Sequence, residues 1–248
     1  MASRTYKTEA VVLRSFRLGE ADRVLHLYTL ERGRIGAVAK GIRRTKSRFG
    51  ARLEPLSHVE VLLHHGSGEL QTVTGVELIQ PHRPAREEPY RLNVGLVGLE
   101  AMLRLFTEQE ANARAFRALT RFLELLDELR VPRDPRARAA LDPLGLSFQL
   151  KLLWLSGYLP HVGSCAECGA EERLAGYSPR AGGAVCRSCA DETMLALAPE
   201  GLAGIARLLR RPLAEAGTLT PRAARDALAV INSSYEFHGG FRLRTLSA

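Results

Sequence analysis

Short apolar or alternating runs recur at strand spacing through the first eighty residues. The turn-forming stretches ERG at residues 31–33 and GSG at residues 66–68 punctuate them. The pattern predicts strands over residues 9–13, 23–29, 34–39, 57–63 and 70–79. Five short strands with a longer connection after the third are typical of a small closed barrel of OB type, although an SH3-like barrel gives a similar pattern.

A proline-rich stretch at residues 80–89, QPHRPAREEP, ends the strand pattern, and we predict a domain boundary through which no strand or helix runs. Beyond it, apolar residues at helical spacing predict amphipathic helices near residues 96–106 and 116–129, separated near residues 108–112. Residues 144–158 have a narrow polar face and predict a mostly buried helix. Further helices are predicted over residues 199–211 and from Pro221, with Thr220 as the N-cap.

Positive charge is concentrated at one end of the chain. The formal net charge is +8 over 248 residues, and residues 1–50 hold 12 Lys or Arg against 4 acids, so the rest of the chain is neutral overall. A genome rich in GC would enrich Arg everywhere, and it does not explain this confinement. A positive electrostatic field concentrated on one part of the chain attracts polyanions, so nucleic acid is the expected partner.

The densest basic stretch is KGIRRTKSRFGARLEP at residues 40–55. Arginine grips phosphate oxygens in bidentate fashion, and an aromatic ring beside such residues offers a base a stacking platform. Phe16 and Phe49 are the candidate platforms because each lies beside basic residues, with packing in the barrel core as the alternative for each ring. The predicted DNA-binding set is Arg14, Arg17, Arg32, Arg34, Lys40, Arg43, Arg44, Lys46, Arg48 and Phe49.

All four cysteines of the chain form two CxxC pairs, Cys165 with Cys168 and Cys186 with Cys189, separated by 17 residues. This spacing is typical of a four-thiolate zinc site. Four protein ligands leave no open position for water, so the predicted Zn²⁺ is structural. An iron–sulfur cluster and redox dithiols remain alternatives, and disulfides are disfavoured in a chain that reads as cytosolic.

The charge, the strand pattern and the cysteines together predict a multidomain protein with α and β parts. Residues 1–80 are predicted to form a nucleic-acid-binding barrel domain, of OB-fold or SH3-like type, and residues 81–248 a helical domain. The zinc module, residues 161–195, is predicted to be inserted among the helices.

Motifs for several enzyme classes are absent from the chain. There is no GxxxxGK[ST], GxGxxG, HExxH or GxSxG, and no lysine completes a (D/E)xK nuclease motif. An NTP-driven motor and a hydrolase are therefore disfavoured, and we predict a protein that is not an enzyme. The N-terminus has no signal-peptide pattern and no run of 18 apolar residues occurs, which predicts a cytoplasmic location.

Several stretches of the chain resemble the bacterial RecO recombination-mediator (DNA repair) protein family. The stretches that carry the resemblance are YKTEAVVL at residues 6–13, GEAD at 19–22, KG at 40–41, RR at 43–44, KSR at 46–48, LEP at 53–55, LSGYLP at 155–160, YSP at 177–179, GG at 182–183 and both cysteine pairs. The resemblance spans most of the chain and is most specific over residues 6–55, whereas residues 92–143 match only as generic helix.

The resemblance implies an N-terminal OB domain, a helical domain and a zinc module between its helices. It also implies binding to single- and double-stranded DNA and annealing of complementary strands. The implied partners are RecR and the single-strand-binding protein, and indirectly the RecA recombinase, which is loaded onto coated strands. A bacterial, nucleoid-associated location follows, with no membrane partner and no small-molecule substrate.

A zinc-ribbon transcription or RNA-binding factor is the alternative function, because it shares the charge and the cysteines. Such a factor is expected to have an excess of basic residues around the two CxxC turns. The region from Cys165 to Cys189 instead holds three Arg and three Glu and has no net charge. A nuclease would need a carboxylate cluster that forms only in the folded chain.

Overall fold

The computed structural model describes residues 4–47, 49–66, 68–106, 110–158 and 160–246. The chain divides into two compact units, one from Met1–Gly95 with Phe106–Glu128 and the other from Leu96–Leu105 with Leu129–Ala248. Among the described residues, no helix has both the length and the apolar character that crossing a membrane requires.

The first unit contains a closed barrel with the strand order β1-β2-β3-β5-β4, in which β3 and β5 are parallel and the other neighbours antiparallel. The strands are β1 Thr5–Leu18, β2 Asp22–Thr29, β3 Gly33–Ala39, β4 His58–His64 and β5 Gln71–Gln80. This confirms the five predicted strands and the OB-type barrel. The largest difference is β1, which continues five residues past Leu13 because a bulge lets it keep pairing with β2.

The barrel is filled by apolar residues that alternate along each strand. Ala10 and Val12 of β1, Leu25 and Leu27 of β2, and Ile35 of β3 are buried in one core cluster. The opposite face of β1 and β2 also holds buried residues, including Val11 and Tyr28. The two faces of these strands are therefore buried by different partners, one by the barrel interior and one by helices.

Helices cover part of the outside of the barrel. The helices of this region are α1 Arg83–Glu87, α2 Pro89–Leu105 and α3 Ala113–Glu128. Phe116 of α3 contacts His58 edge to face at 5.7 Å, and Phe106 contacts Tyr28 in the same way at 5.5 Å. The buried His82 is hydrogen-bonded through Nδ1 to Asp127 of α3 at 2.8 Å, which fixes the connection after β5.

The proline-rich stretch is not without structure, because α1 lies inside it with a proline in its first turn. Proline is tolerated there, since the first amides of a helix have no partner within the helix. No element runs through the stretch, because β5 ends at Gln80 and α2 begins at Pro89.

The second unit combines helices with a small three-stranded sheet of order β7-β6-β8. Its further elements are α4 Pro143–Leu155, β6 Leu174–Ser178, β7 Gly183–Cys186, β8 Leu195–Ala196, α5 Pro199–Arg210 and α6 Pro221–Gly239. Helix α4 is buried over most of its length, as predicted, and Thr220 accepts a hydrogen bond from the amide of Ala223 as the N-cap of α6. The sheet is attached to α6 through a hydrogen bond of 2.9 Å between the Tyr177 and Ser234 hydroxyls.

Candidate nucleic-acid interface and metal site

The loop between β3 and β4 carries the densest positive charge and is anchored by its own apolar residues. Ile42, Phe49 and Leu53 are buried in the barrel core. Lys40, Arg43, Arg44, Lys46 and Arg52 are exposed. The loop therefore alternates core anchors with outward cations, and the anchors hold the charges at the surface of the barrel. Arg48 lies outside the described residues.

Hydrogen bonds attach this loop to the turn between β1 and β2. Asp22 accepts the amide of Gly41 at 2.7 Å, and Gly41 has a φ of 68°, a conformation that favours glycine. Arg43 donates to the carbonyl oxygens of Gly19 and Glu20 at 3.3 and 2.7 Å. Arg43 is thus both an exposed cation and a structural tie.

The structure corrects the prediction for Phe49. Its side chain is 1% exposed and packs in the barrel core, so a base has no access to its ring. The surrounding sequence, KSRFGAR, has no period that would assign the ring to one face. Of the two candidate rings, Phe16 is the exposed one, at 42%.

Substituting Phe49→Leu is expected to destabilise the barrel by about 1–3 kcal/mol, because it removes buried ring atoms from a packed core. Urea denaturation of the variant measures this loss. Phe16→Leu is the matched control, and its free energy of unfolding should change by less than about 0.5 kcal/mol because the ring is largely exposed. Equal stability losses in the two variants would contradict the burial of Phe49.

The outward face of β1, β2 and β3 places Phe16 among polar and basic neighbours. Arg14 lies over the Phe16 ring with its guanidinium carbon 5.8 Å from the centroid, and the His26 ring is 5.6 Å away. Arg14 pairs with His26 and Phe16 with Val24 across the two strands. OB-fold barrels bind oligonucleotides on the face of strands 2 and 3 and on the loops between strands 1 and 2 and between strands 4 and 5. The sequence did not single out His26, whose only signal is its outward position in the alternation of β2.

The remaining predicted cations lie at two ends of the barrel. Arg17 of β1 pairs with Arg23 of β2, and Arg23 pairs with Ala39 of β3. Arg17 therefore lies at the end of the barrel where the basic loop begins at Lys40. Arg32 and the half-buried Arg34 lie at the other end of β3, about 20 Å away at 3.3 Å per residue. Arg32 stacks on Tyr6, with its guanidinium carbon 3.9 Å from the ring centroid. The predicted set is therefore spread over two ends of the barrel rather than gathered in one cluster.

The basic residue opposite Arg17, Arg23, has an internal role. Arg23 donates from Nη1 to both carboxylate oxygens of Glu54 at 3.0 and 3.1 Å, and to the Ser15 hydroxyl at 3.3 Å. The pair joins β2 to the end of the basic loop. Arg23 was not in the predicted DNA-binding set, and the structure gives it a structural task.

The four cysteines converge in the second unit. Their Sγ atoms all lie within 4.8 Å of one another, and those of Cys168 and Cys186 are 3.9 Å apart. A tetrahedral site with metal–sulfur distances of about 2.3 Å requires sulfur separations of about 3.8 Å. The cluster therefore has dimensions that could hold one metal ion.

Backbone geometry forms the two cysteine turns. In the first, the amide of Gly169 donates to the carbonyl of Cys165 at 2.8 Å, and Gly169 has a φ of 76°. In the second, residues 187–189 form a short 3-10 turn. The amide of Cys186 donates to the Cys165 sulfur at 3.5 Å and joins the two turns.

The thiols have unequal environments. Backbone amides, that of Cys168 first and that of Cys186 next, lower the pKa of Cys165 to about 6. Hydrogen bonds with the thiols of Cys168 and Cys186 raise the pKa of Cys189 to about 12. Four thiols this close cannot all ionise without a cation among them, which is the situation that a thiolate-bound metal relieves.

The core around the cysteines is small. It consists of the buried Cys165, Val185 and Cys186, with four partly buried neighbours. A cluster of this size supplies little apolar burial, and small modules of this kind use a metal to hold their fold. The cluster thus fits a structural metal ion, because the spacing of the sulfur atoms, the thiol ligands and the small apolar core all agree with one.

Comparison with known proteins gives matches along the whole chain. The family described as Recombination protein O N terminal matches residues 1–82, and the one described as Recombination protein O C terminal matches residues 86–247. A protein named DNA repair protein RecO from Rubrobacter xylanophilus is 38% identical over 218 residues, covering 86% of this chain and 84% of that protein. Proteins of the same name from a Nocardioides species and from Streptomyces coelicolor are 36% and 34% identical, and each match covers at least 94% of both chains.

Proposed function

The chain belongs to the RecO family of DNA repair proteins, and from that premise we propose that it is a non-enzymatic mediator of strand annealing and recombination. It binds single- and double-stranded DNA without sequence preference and anneals complementary strands. Together with RecR it helps to load RecA onto single-stranded DNA covered by single-strand-binding protein. Its place of action is the bacterial cytoplasm, at the nucleoid.

One observation carries this proposal: the outward face of an OB-type barrel is flanked by an anchored loop of exposed cations. The proposed contacts are Arg14, Phe16, Arg17, Arg32, Arg34, Lys40, Arg43, Arg44, Lys46 and Arg48. The cations contact the phosphate backbone, which every DNA sequence shares. They therefore supply affinity without distinguishing one base sequence from another. Phe16 stacks on a base, which is accessible in a single strand.

The cysteine cluster is proposed to hold Zn²⁺ through Cys165, Cys168, Cys186 and Cys189. When bound, the ion supplies a structural cross-link between the two turns and no reaction chemistry, because the four thiolates fill a tetrahedral site. The thiol distances and the small core support this assignment.

We further propose residues 1–80 and 81–248 as the functional domains, with the zinc module at residues 161–195 inserted in the second. The family matches on either side of residues 83–85 support this division of the sequence, whereas the compact units of the structure group Met1–Gly95 and Phe106–Glu128 with the barrel.

Fluorescence anisotropy with labelled oligonucleotides tests the binding proposal. Single strands and duplexes of unrelated sequence should bind within a few-fold of one another at one salt concentration, because backbone contacts carry no sequence information. A strong preference for one sequence, or failure to bind either form, would contradict the proposal.

Substituting Phe16→Leu is expected to weaken binding of single-stranded DNA by about tenfold, because base–aromatic stacking is worth about 1–3 kcal/mol per base. Duplex binding should change little, since the bases of a duplex are already stacked. Anisotropy titrations with both forms measure the difference, and Phe16→Tyr, which keeps the ring, is the matched control. Equal losses for both forms would remove Phe16 from the stacking role.

A further inference from the structure

The second unit contains a groove that the proposed function does not use. Its volume is about 480 Å³, within the range of about 300–1,000 Å³ that is typical of ligand sites. The wall includes Lys151 and Trp154 of α4, His161, and Leu209 and Arg210 of α5. No carboxylate lines it among the described residues.

The groove combines a ring with cations. Trp154, the one tryptophan of the chain, is 51% exposed although it belongs to a helix that is otherwise mostly buried. Lys151 donates to the carbonyl of Leu209 at 3.1 Å, and Arg210 donates through Nε to the carbonyl of Ala206 at 3.3 Å. Neither cation forms an ion pair within the part of the chain that the structure describes. Burial lowers the pKa of Lys151, a cost to its charged form that a bound anion offsets.

One wall of the groove is held in place from the cysteine module. The amide of His161 donates to the carbonyl of Gly182 at 3.0 Å, and the amide of Ala184 donates to the carbonyl of His161 at 2.6 Å. The His161 ring is hydrogen-bonded to the Ser164 hydroxyl at 2.8 Å. The groove is thus preformed, which reduces the ordering cost of binding.

The same unit carries further exposed rings that do not line the groove. Tyr158 follows Trp154 by four residues, is exposed, and stacks on His238 with centroids 4.8 Å apart. The neighbouring Phe237 is 51% exposed and contacts the same histidine edge to face at 5.1 Å. In the groove itself, the exposed ring of Trp154 beside two cations suits a base and its phosphates, whereas an acidic peptide would gain from the cations but not from the ring.

We propose that this groove is a second contact site for single-stranded DNA, in which a base stacks on Trp154 while Arg210 and Lys151 hold the adjacent phosphates. The proposal rests on the proposed DNA-binding function and extends it, because annealing brings two strands together. With a separate site on the helical unit, a strand can be held while another occupies the barrel.

The sole tryptophan makes the site directly observable. A thymidine oligonucleotide of about eight residues is titrated into the full-length protein while Trp154 fluorescence is recorded. We expect saturable quenching both in the unaltered protein and in a barrel variant carrying R43A, R44A, K46A and F16L. Arg210→Ala should weaken the quenching titration by about tenfold, the loss of one charge-assisted contact. Arg211→Ala is the matched control and should leave it unchanged, because Arg211 is paired with Glu215 and does not line the groove.

The outcomes separate this proposal from the proposed function. If the labelled oligonucleotide binds by anisotropy while Trp154 fluorescence stays constant, the groove site is wrong and DNA binding by the barrel stands. If quenching vanishes in the barrel variant, the groove has no affinity of its own and the proposal is also wrong. If no binding occurs by either measurement, both proposals fail. Quenching by polyglutamate at lower concentration than by the oligonucleotide would assign the groove to acidic peptides and overturn the DNA assignment.

Discussion

Replacing Arg43, Arg44 and Lys46 together by Ala is expected to weaken DNA binding on the order of a hundredfold at low salt, for all sequences alike. The three side chains are exposed on a loop whose Ile42, Phe49 and Leu53 are buried in the barrel. The anchors hold the loop on the barrel, so we expect each cation to lose little conformational freedom when it contacts phosphate.

The salt dependence identifies the contacts as ionic. Each lost phosphate contact flattens the slope of log affinity against log salt concentration by about 0.7–0.9, so the triple variant should lose roughly two units. Anisotropy titrations at several salt concentrations measure the slope. The triple variant of Arg133, Arg136 and Arg138, exposed arginines of the second unit, removes the same net charge and should leave the slope nearly unchanged.

Arg43 needs a separate control because it also binds the turn between β1 and β2. The double variant R44A/K46A keeps that tie and should lose about two thirds of the slope change. An unchanged affinity and slope in a folded triple variant would remove the basic loop from the DNA site.

Replacing Cys165 and Cys168 by Ser is expected to abolish metal binding and to unfold the module around β6 and β7. The buried core there has three residues, and structural zinc contributes about 10–16 kcal/mol of apparent binding energy in isolated zinc-finger peptides. Metal analysis of the purified protein should give one zinc per chain, and the variant should give none and melt at lower temperature.

The same variant tests whether the cysteine module is structural or itself contacts DNA. Ser188→Ala, in the second cysteine turn but without a ligand atom, is the control and should keep both the metal and the melting temperature. DNA affinity at the barrel should be retained in the double Cys→Ser variant, because the proposed barrel contacts belong to the first unit and the cysteines to the second. If metal analysis finds no metal in the unaltered protein, the assignment of zinc is wrong.

The barrel was predictable because its strands alternate core and surface residues over short runs bounded by turns. Its β1 strand was predicted too short, since Arg14 and Arg17 interrupt the apolar run while pairing with β2 continues to Leu18. The position of the Phe49 ring was not predictable, because a loop has no periodicity and its burial depends on the barrel that closes over it.

Contacts between distant residues were also beyond the sequence pattern. Helix α3 was predicted from its own period, yet its place in the barrel unit depends on pairs such as His58 with Phe116. The convergence of the cysteines was predictable because the spacing of a four-thiolate site is local and repeated, and the thiols do cluster. The exposure of Trp154 was not, since α4 reads as buried almost throughout.

Strand annealing in the absence of ATP tests the central claim most directly. Complementary single strands are mixed with the protein, alone and after coating with single-strand-binding protein, with and without RecR. We expect the protein to accelerate duplex formation without nucleotide hydrolysis and the R43A/R44A/K46A variant to lose most of that acceleration. Annealing no faster than the protein-free rate, or acceleration that survives intact in the triple variant, would contradict the account.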